Sequence, residues 1–100
     1  MDDYKSWNFP KSISIEQVSS YVDQLKHVKP DETISFDLSK TVNIHSSFIG
    51  FLLHAKQNIE RNGGKLELVL SLTLEKILIM LNIIDYFSPA IITVINQKSA

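Results

Sequence analysis

Two apolar strands separated by one amphipathic helix constrain this chain more than any other feature. Ile34, Phe36 and Leu38 alternate with Ser35, Asp37 and Ser39, which is strand periodicity and predicts a strand over Thr33–Leu38. Leu66, Leu68 and Leu70 repeat that period over Lys65–Leu70. Between them, Phe48, Phe51, Leu52, Ala55 and Ile59 share one helical face, which predicts a helix from about Ser47 to Arg61. Asn62-Gly63-Gly64 ends it, because glycine readily supplies a positive φ. A strand, a helix and a strand in this order imply parallel neighbours joined by a right-handed crossover, with the helix packed on the sheet.

The flanks extend the pattern. Tyr4–Phe9 has room for one short strand with Trp7 and Phe9 on one face, ended by Pro10. Val18, Tyr21, Val22, Leu25 and Val28 follow helical spacing, so a helix capped by Ser12 or Ser14 runs to about His27. Lys29-Pro30-Asp31 is a turn. Ser71 or Thr73 caps a helix through about Leu81, and Asp85–Phe87 reads as a short extended piece. Ala90–Ile95 fits a strand by its β-branched residues, while Ser88-Pro89 would also start a helix. The expected fold is α/β, a small mixed, mainly parallel sheet with helices packed on it, in one domain over residues 1–100. Phe36, Phe51, Leu52, Ile59, Leu68 and Leu78 are expected in its core.

Composition narrows the function classes. Net charge is -1 with no long run of either sign, so there is no electrostatic footprint for nucleic acid or an anionic membrane. No cysteine is present, which excludes disulfides and thiolate metal sites. The opening MDDYKSWNF is acidic and polar, unlike a signal peptide, and the apolar runs fall far short of the roughly 20 residues of a membrane helix. The expectation is a cytoplasmic protein with no direct membrane insertion.

His45-Ser46-Ser47 stands where the central helix begins. A helix N-terminus has unpaired N–H groups and partial positive charge. A serine there caps the helix, contributing about 1 kcal/mol. If phosphorylated, it would bring its phosphate to those N–H groups. Ile49 and Leu53 lie on a second side of the helix near Gly50, either filling a shallow edge of the core or forming an apolar strip that docks a partner. Lys56, Gln57, Glu60 and Arg61 lie off the core face.

Asp37, at a strand end, is expected to order the following loop by accepting backbone N–H bonds. A Ser47–His45–Asp37 triad is disfavoured, since no Gly-x-Ser-x-Gly elbow exists. Asn62-Gly63-Gly64 is no phosphate loop, because no Gly-Lys-Ser/Thr follows. His45 reads as a partly exposed loop residue or a pH-sensitive element. His27, His45 and His54 have no metal-ligand spacing, and neither a metal nor a cofactor is expected.

Asp37-Leu38-Ser39, Ser46-Ser47, Ile49-Gly50, Asn62-Gly63-Gly64 and Lys65–Leu70 form an ordered series. That series resembles the STAS domain of anti-sigma factor antagonists, over roughly residues 33–87. The resemblance implies a binding module without catalysis of its own. The unphosphorylated domain would bind an anti-sigma factor, often a serine kinase of the histidine-kinase-like ATPase type, and so free a sigma factor. Ser47 matches the phosphoacceptor, and a phosphatase would reset the switch. The partner contact would comprise His45, Ser46, Phe48, Ile49, Gly50 and Leu53. Small stand-alone domains of this kind also serve as constitutive adaptor subunits bound to ABC transporter ATPases, including lipid transporters, and that is the alternative. This chain is shortened at both ends relative to the family, with one N-terminal strand for two and little of the last helix. Phe48 replaces a small glycine beside the serine, and His45 replaces an acid.

Overall fold

The computed structural model describes residues 4–95. In chain order the elements are β1 (Tyr4–Asn8), β2 (Ser12–Ile13), α1 (Ile15–Leu25), β3 (Thr33–Leu38), β4 (Asn43–Ile44), α2 (Ser47–Arg61), β5 (Lys65–Ser71), α3 (Leu72–Met80), α4 (Ile84–Phe87), a 3-10 turn (Ser88–Ala90) and β6 (Ile91–Ile95). Four strands form one sheet in the order β1-β3-β5-β6, and β2 pairs with β4 apart from it. Every one of these pairs is parallel, in keeping with the mainly parallel sheet expected. The strands step across the sheet in one direction, so crossovers of the usual hand keep the helices on one face.

The alternating rows decide which face that is. Ile34, Phe36 and Leu38 stand opposite Leu66, Leu68 and Leu70, and all six are buried. Trp7 adds to the row opposite Phe36. Onto this row α2 sets Phe48, Phe51, Leu52, Ala55 and Ile59, all buried as their spacing predicts. The Phe36 and Phe51 rings stack with centroids 5.9 Å apart. All six residues expected in the core are buried there. The reverse face of the sheet carries a polar row, Ser6 opposite Ser35 and Ser35 opposite Glu67. A parallel sheet normally needs covering on both sides, and polar residues are what let this one do without.

The helix ends follow local chemistry. Ser14 caps α1 by a capping box, its Oγ accepting the Gln17 N–H while Gln17 Oε1 accepts the Ser14 N–H. Ser12 lies in β2 and caps nothing. The Gly63 N–H donates to Glu60 O and the Gly64 N–H to Ile59 O, a Schellman closure of α2 with Gly63 at φ 81°. A side chain on Gly64 would collide with the Glu32 carbonyl, so the turn into β5 requires glycine there.

Two expectations are corrected, one open segment is resolved and two short strands are added. Residues 85–87 are helical, not extended, because Asn82 at φ 60° closes α3 and the chain restarts as α4, seating Phe87 in the core. Residues 88–95 realise both readings of that segment in turn, a Pro-started 3-10 turn and then strand β6. The two-residue strands β2 and β4 are too short to leave any periodicity in the sequence. Lys56, expected off the core face, is buried with its Nζ 3.0 Å from Glu60 Oε1 and 4.6 Å from the Tyr86 ring centroid. Tyr86 roofs it over from α4, a helix that the sequence pattern does not announce. Readings that concern residues 1–3 and 96–100, the acidic start and any final helix, lie outside the described residues. No helix among the described residues is long and apolar enough to cross a membrane.

Leu52 is fully buried in the α2 contact with the sheet. Leu52→Ala should lower stability by about 2–5 kcal/mol, because the well-packed surroundings cannot close on the cavity. Denaturant unfolding checks this, and a loss within about 0.5 kcal/mol would mean that the helix face is misassigned.

Candidate functional site

The start of α2 is held in place by the β2–β4 pair. The Val42 and Asn43 N–H groups both donate to Lys11 O, at 2.9 and 3.1 Å, and the His45 N–H donates to Ile13 O at 3.0 Å. These bonds bring the loop after β3 against the segment after β1 and deliver His45 to the helix start. The site therefore sits beyond the C-terminal ends of the parallel strands, where such sheets commonly present ligand and partner surfaces.

The cap is not the one expected. Ser46 occupies the cap position, but its backbone is already helical at φ -56°, ψ -30°, and its side chain makes no capping bond. A capping serine works from an extended backbone, which aims its oxygen at the first-turn N–H groups. His45 does the capping instead, with the Ser47 N–H donating to His45 Nδ1 at 3.1 Å. Ser47 Oγ lies 2.8 Å from the same nitrogen. The next two N–H groups are also occupied, Phe48 N–H on His45 O at 2.9 Å and Ile49 N–H on Ser46 O at 3.1 Å. The helix start is thus not the open anion cradle that the sequence suggests. A phosphate on Ser47 would compete with the imidazole for an N–H instead of finding it vacant.

The residues expected to meet a partner separate into two groups. His45, Ser46 and Gly50 are exposed, and Ser47 is half-buried. Ile49 and Leu53 are half-buried and packed on the edge of the core, which is the first of the two readings of them. Phe48 is fully buried and is withdrawn from the contact surface. Its ring meets Phe9 and Phe51, each at 5.6 Å, so its bulk points into the core.

Gly50, expected in the partner contact, has a conformation that any residue could adopt. It needs no positive φ, and a Cβ there would meet nothing within 4 Å. Glycine inside a helix costs about 1 kcal/mol relative to alanine, so neither backbone nor packing explains this one. Beside His45 a shallow apolar hollow of about 450 Å³ runs over Ile13, Ile15 and Ile44, with Ile15 about half exposed. Sequence reasoning misses it, because Ile13 and Ile44 meet only through the unforeseen β2–β4 pair.

Asp37 is occupied elsewhere. Its Oδ1 accepts the Ser39 N–H at 3.0 Å and the Ser39 hydroxyl at 2.6 Å, folding the chain tightly after β3. It lines a different hollow with Ser39 and Lys40, so Ser47, His45 and Asp37 do not assemble into a triad. His27 and His54 also line separate hollows. Among the described residues no group of three His, Cys, Asp or Glu side chains could hold a metal ion. No protein-family model, curated protein or solved structure matches this chain.

The hydroxyl bond from Ser39, then its backbone N–H, holds the Asp37 carboxyl below the ordinary aspartate range. A carboxylate with a depressed folded-state pKa stabilises the fold above its unfolded pKa, near about 4, and that contribution is lost as pH falls through the lower folded value. Asp37→Asn should therefore lower stability at neutral pH and leave less of it to lose in acid. Paired urea titrations at neutral pH and in acid check this, and an equal deficit at both would remove the carboxylate from the explanation.

Proposed function

We propose that this domain is a phosphorylation-switched binding module of the anti-sigma factor antagonist kind. Its unphosphorylated form binds an anti-sigma factor that is also a serine kinase, and phosphate on Ser47 releases the complex. The observation that carries this reading is Gly50, an exposed helical glycine that neither the backbone nor the core requires. A glycine of this kind fits a surface on which a partner approaches the helix backbone closely. It lies one turn from the exposed Ser46, on the helix that starts at Ser47.

The rest of the surface is consistent with that use. Half-buried Ile49 and Leu53 offer apolar area, and the hollow over Ile13, Ile15 and Ile44 continues it past His45. The resemblance in the sequence supports the same place and the same residue. A phosphoserine adds about -1.5 to -2 charges to a contact closed against a neutral hydroxyl. Since Phe48 stays in the core, the modification alters the contact and leaves the fold in place. A phosphatase returns the domain to its binding form.

Gly50→Ala should raise stability by about 0.5–1 kcal/mol, and Gly50→Arg should abolish partner capture without unfolding the domain. Ile49→Asp or Leu53→Asp should weaken capture, since a charge there is solvated only in the free protein. Ser47→Asp should imitate release in part, and Ser47→Ala should bind constitutively. Incubation with the kinase and ATP, followed by peptide mass spectrometry and pull-down, checks the set. Unmodified Ser47 with a complex indifferent to Ser47→Asp would replace the switch by a constitutive adaptor. Unchanged capture by Gly50→Arg and by both Asp variants would move the interface to another face.

A further inference from the structure

The Ser47 hydroxyl is paired with a base two residues away. Its Oγ lies 2.8 Å from His45 Nδ1, and the Ser47 backbone N–H reaches the same nitrogen at 3.1 Å. A backbone N–H can only donate, so Nδ1 carries no proton and the ring holds its hydrogen on Nε2. The hydroxyl therefore also donates to Nδ1. Capping the helix accounts for the backbone bond but not for the hydroxyl bond. A serine O–H aimed at an imidazole lone pair is the pairing that makes a hydroxyl nucleophilic. The imidazole is steadied from its own backbone, His45 N–H on Ile13 O and Phe48 N–H on His45 O. The other first-turn N–H groups are taken, so the helix N-terminus offers no vacant anion site.

We propose that His45 is the base for Ser47 when that hydroxyl accepts a phosphoryl group. The donor is a nucleoside triphosphate held by a protein kinase. Ser47 Oγ attacks the terminal phosphorus and the Oγ–P bond forms. The bond from that phosphorus to the bridging oxygen breaks, and the nucleoside diphosphate leaves with its electron pair. The Oγ proton passes to His45 Nδ1. The resulting imidazolium then faces the new phosphate, and opposite charges meet where a neutral hydrogen bond stood.

This inference rests on Ser47 being the phosphoacceptor, and it adds that acceptance is gated by the protonation of one ring. An imidazole protonated on both nitrogens has no lone pair to offer. Glu16, in the first turn of α1, is the titratable group that lines the hollow beside the ring. β2, β4 and the first turn of α2 contribute none.

A fluorophosphonate probe tests the pair without kinase or partner. Ser47 Oγ would displace fluoride from phosphorus, with the proton again passing to Nδ1. Wild-type protein should carry the adduct on Ser47, located by peptide mass spectrometry, and the rate should fall as acid protonates the ring. In His45→Asn the Oδ1 can still accept the N–H but takes no proton, so labelling should slow by at least about 100-fold and lose its pH dependence. His45→Asp restores a basic oxygen and should recover part of the rate. Glu16→Gln should leave the profile in place, and thermal melts should show all the variants folded. The proposal is overturned if wild type gains no adduct on Ser47 between about pH 5 and pH 9. It is equally overturned if His45→Asn labels at the wild-type rate, or if Glu16→Gln reproduces the loss. The switch reading fails on a different readout: phosphoserine placed at position 47 by synthesis would leave the partner complex intact, whatever the labelling shows.

Discussion

A short relay of buried hydroxyls ties together the ends of three strands, and the geometry of the site depends on it. Thr41 is fully buried in the loop after β3. Its Oγ1 donates to the carbonyl of Pro10, just after β1, at 2.8 Å. Its own carbonyl accepts the hydroxyl of Ser71, the last residue of β5, at 2.6 Å. Ser71 Oγ also accepts the Leu74 N–H and so caps α3. Each buried polar atom finds its partner only if all three strand ends stand at their observed heights, and leaving one unpaired costs about 1–3 kcal/mol. The chain that leaves Thr41 runs straight into the bonds on Lys11 O, then β4, then His45. The placement of the exposed site is therefore inherited from a buried one.

Below the site the aromatic cluster supplies the complementary constraint. Phe48 follows Ser47 directly and is fixed between Phe9 and Phe51, while Phe51 stacks on Phe36 in the sheet. A helix pinned by a large ring one residue from the Ser47 hydroxyl cannot slide or rotate without opening a cavity. That rigidity lets a change at Ser47 be read as a change in surface charge instead of a change in fold. It also explains how a bulky residue is tolerated where the resembling pattern keeps a small one: the ring points inward, so its size falls on the core.

The sheet is legible in the sequence because it is written in long runs. Periodicity and the end signals bound Thr33–Leu38 and Ser47–Arg61, and with them six of the seven residues of β5. What escapes is written in too few residues. β2 and β4 have two residues each and exist only because the segments after β1 and β3 are held together. The α4 turn depends on a positive φ at Asn82, which no periodicity announces. At the site the residues are legible and their roles are not. Ser46 is readable as a cap by position, but capping is decided by backbone angles, and at φ -56° Ser46 is already inside the helix. The imidazole does that work, and nothing in the order His-Ser-Ser says so. The neighbours of Phe48 in sequence suggest the surface, although its own place on the apolar face of α2 already argues for burial.

Magnitudes limit what a switch at Ser47 can release. A complex of micromolar strength is held by about 8 kcal/mol, and a nanomolar one by about 12. A desolvated, unpaired phosphate at the contact costs several kcal/mol, which is comparable with the first figure and well short of the second. Part of that cost is offset if the new charge is met by the His45 ring, which already touches the hydroxyl at 2.8 Å. A protonated His45 would weaken the repulsion that drives release, whereas a neutral one would leave the phosphate to the partner's surface. On the proposed reading the same ring would act on both sides of the switch, assisting the transfer as a neutral base and softening its effect as a cation.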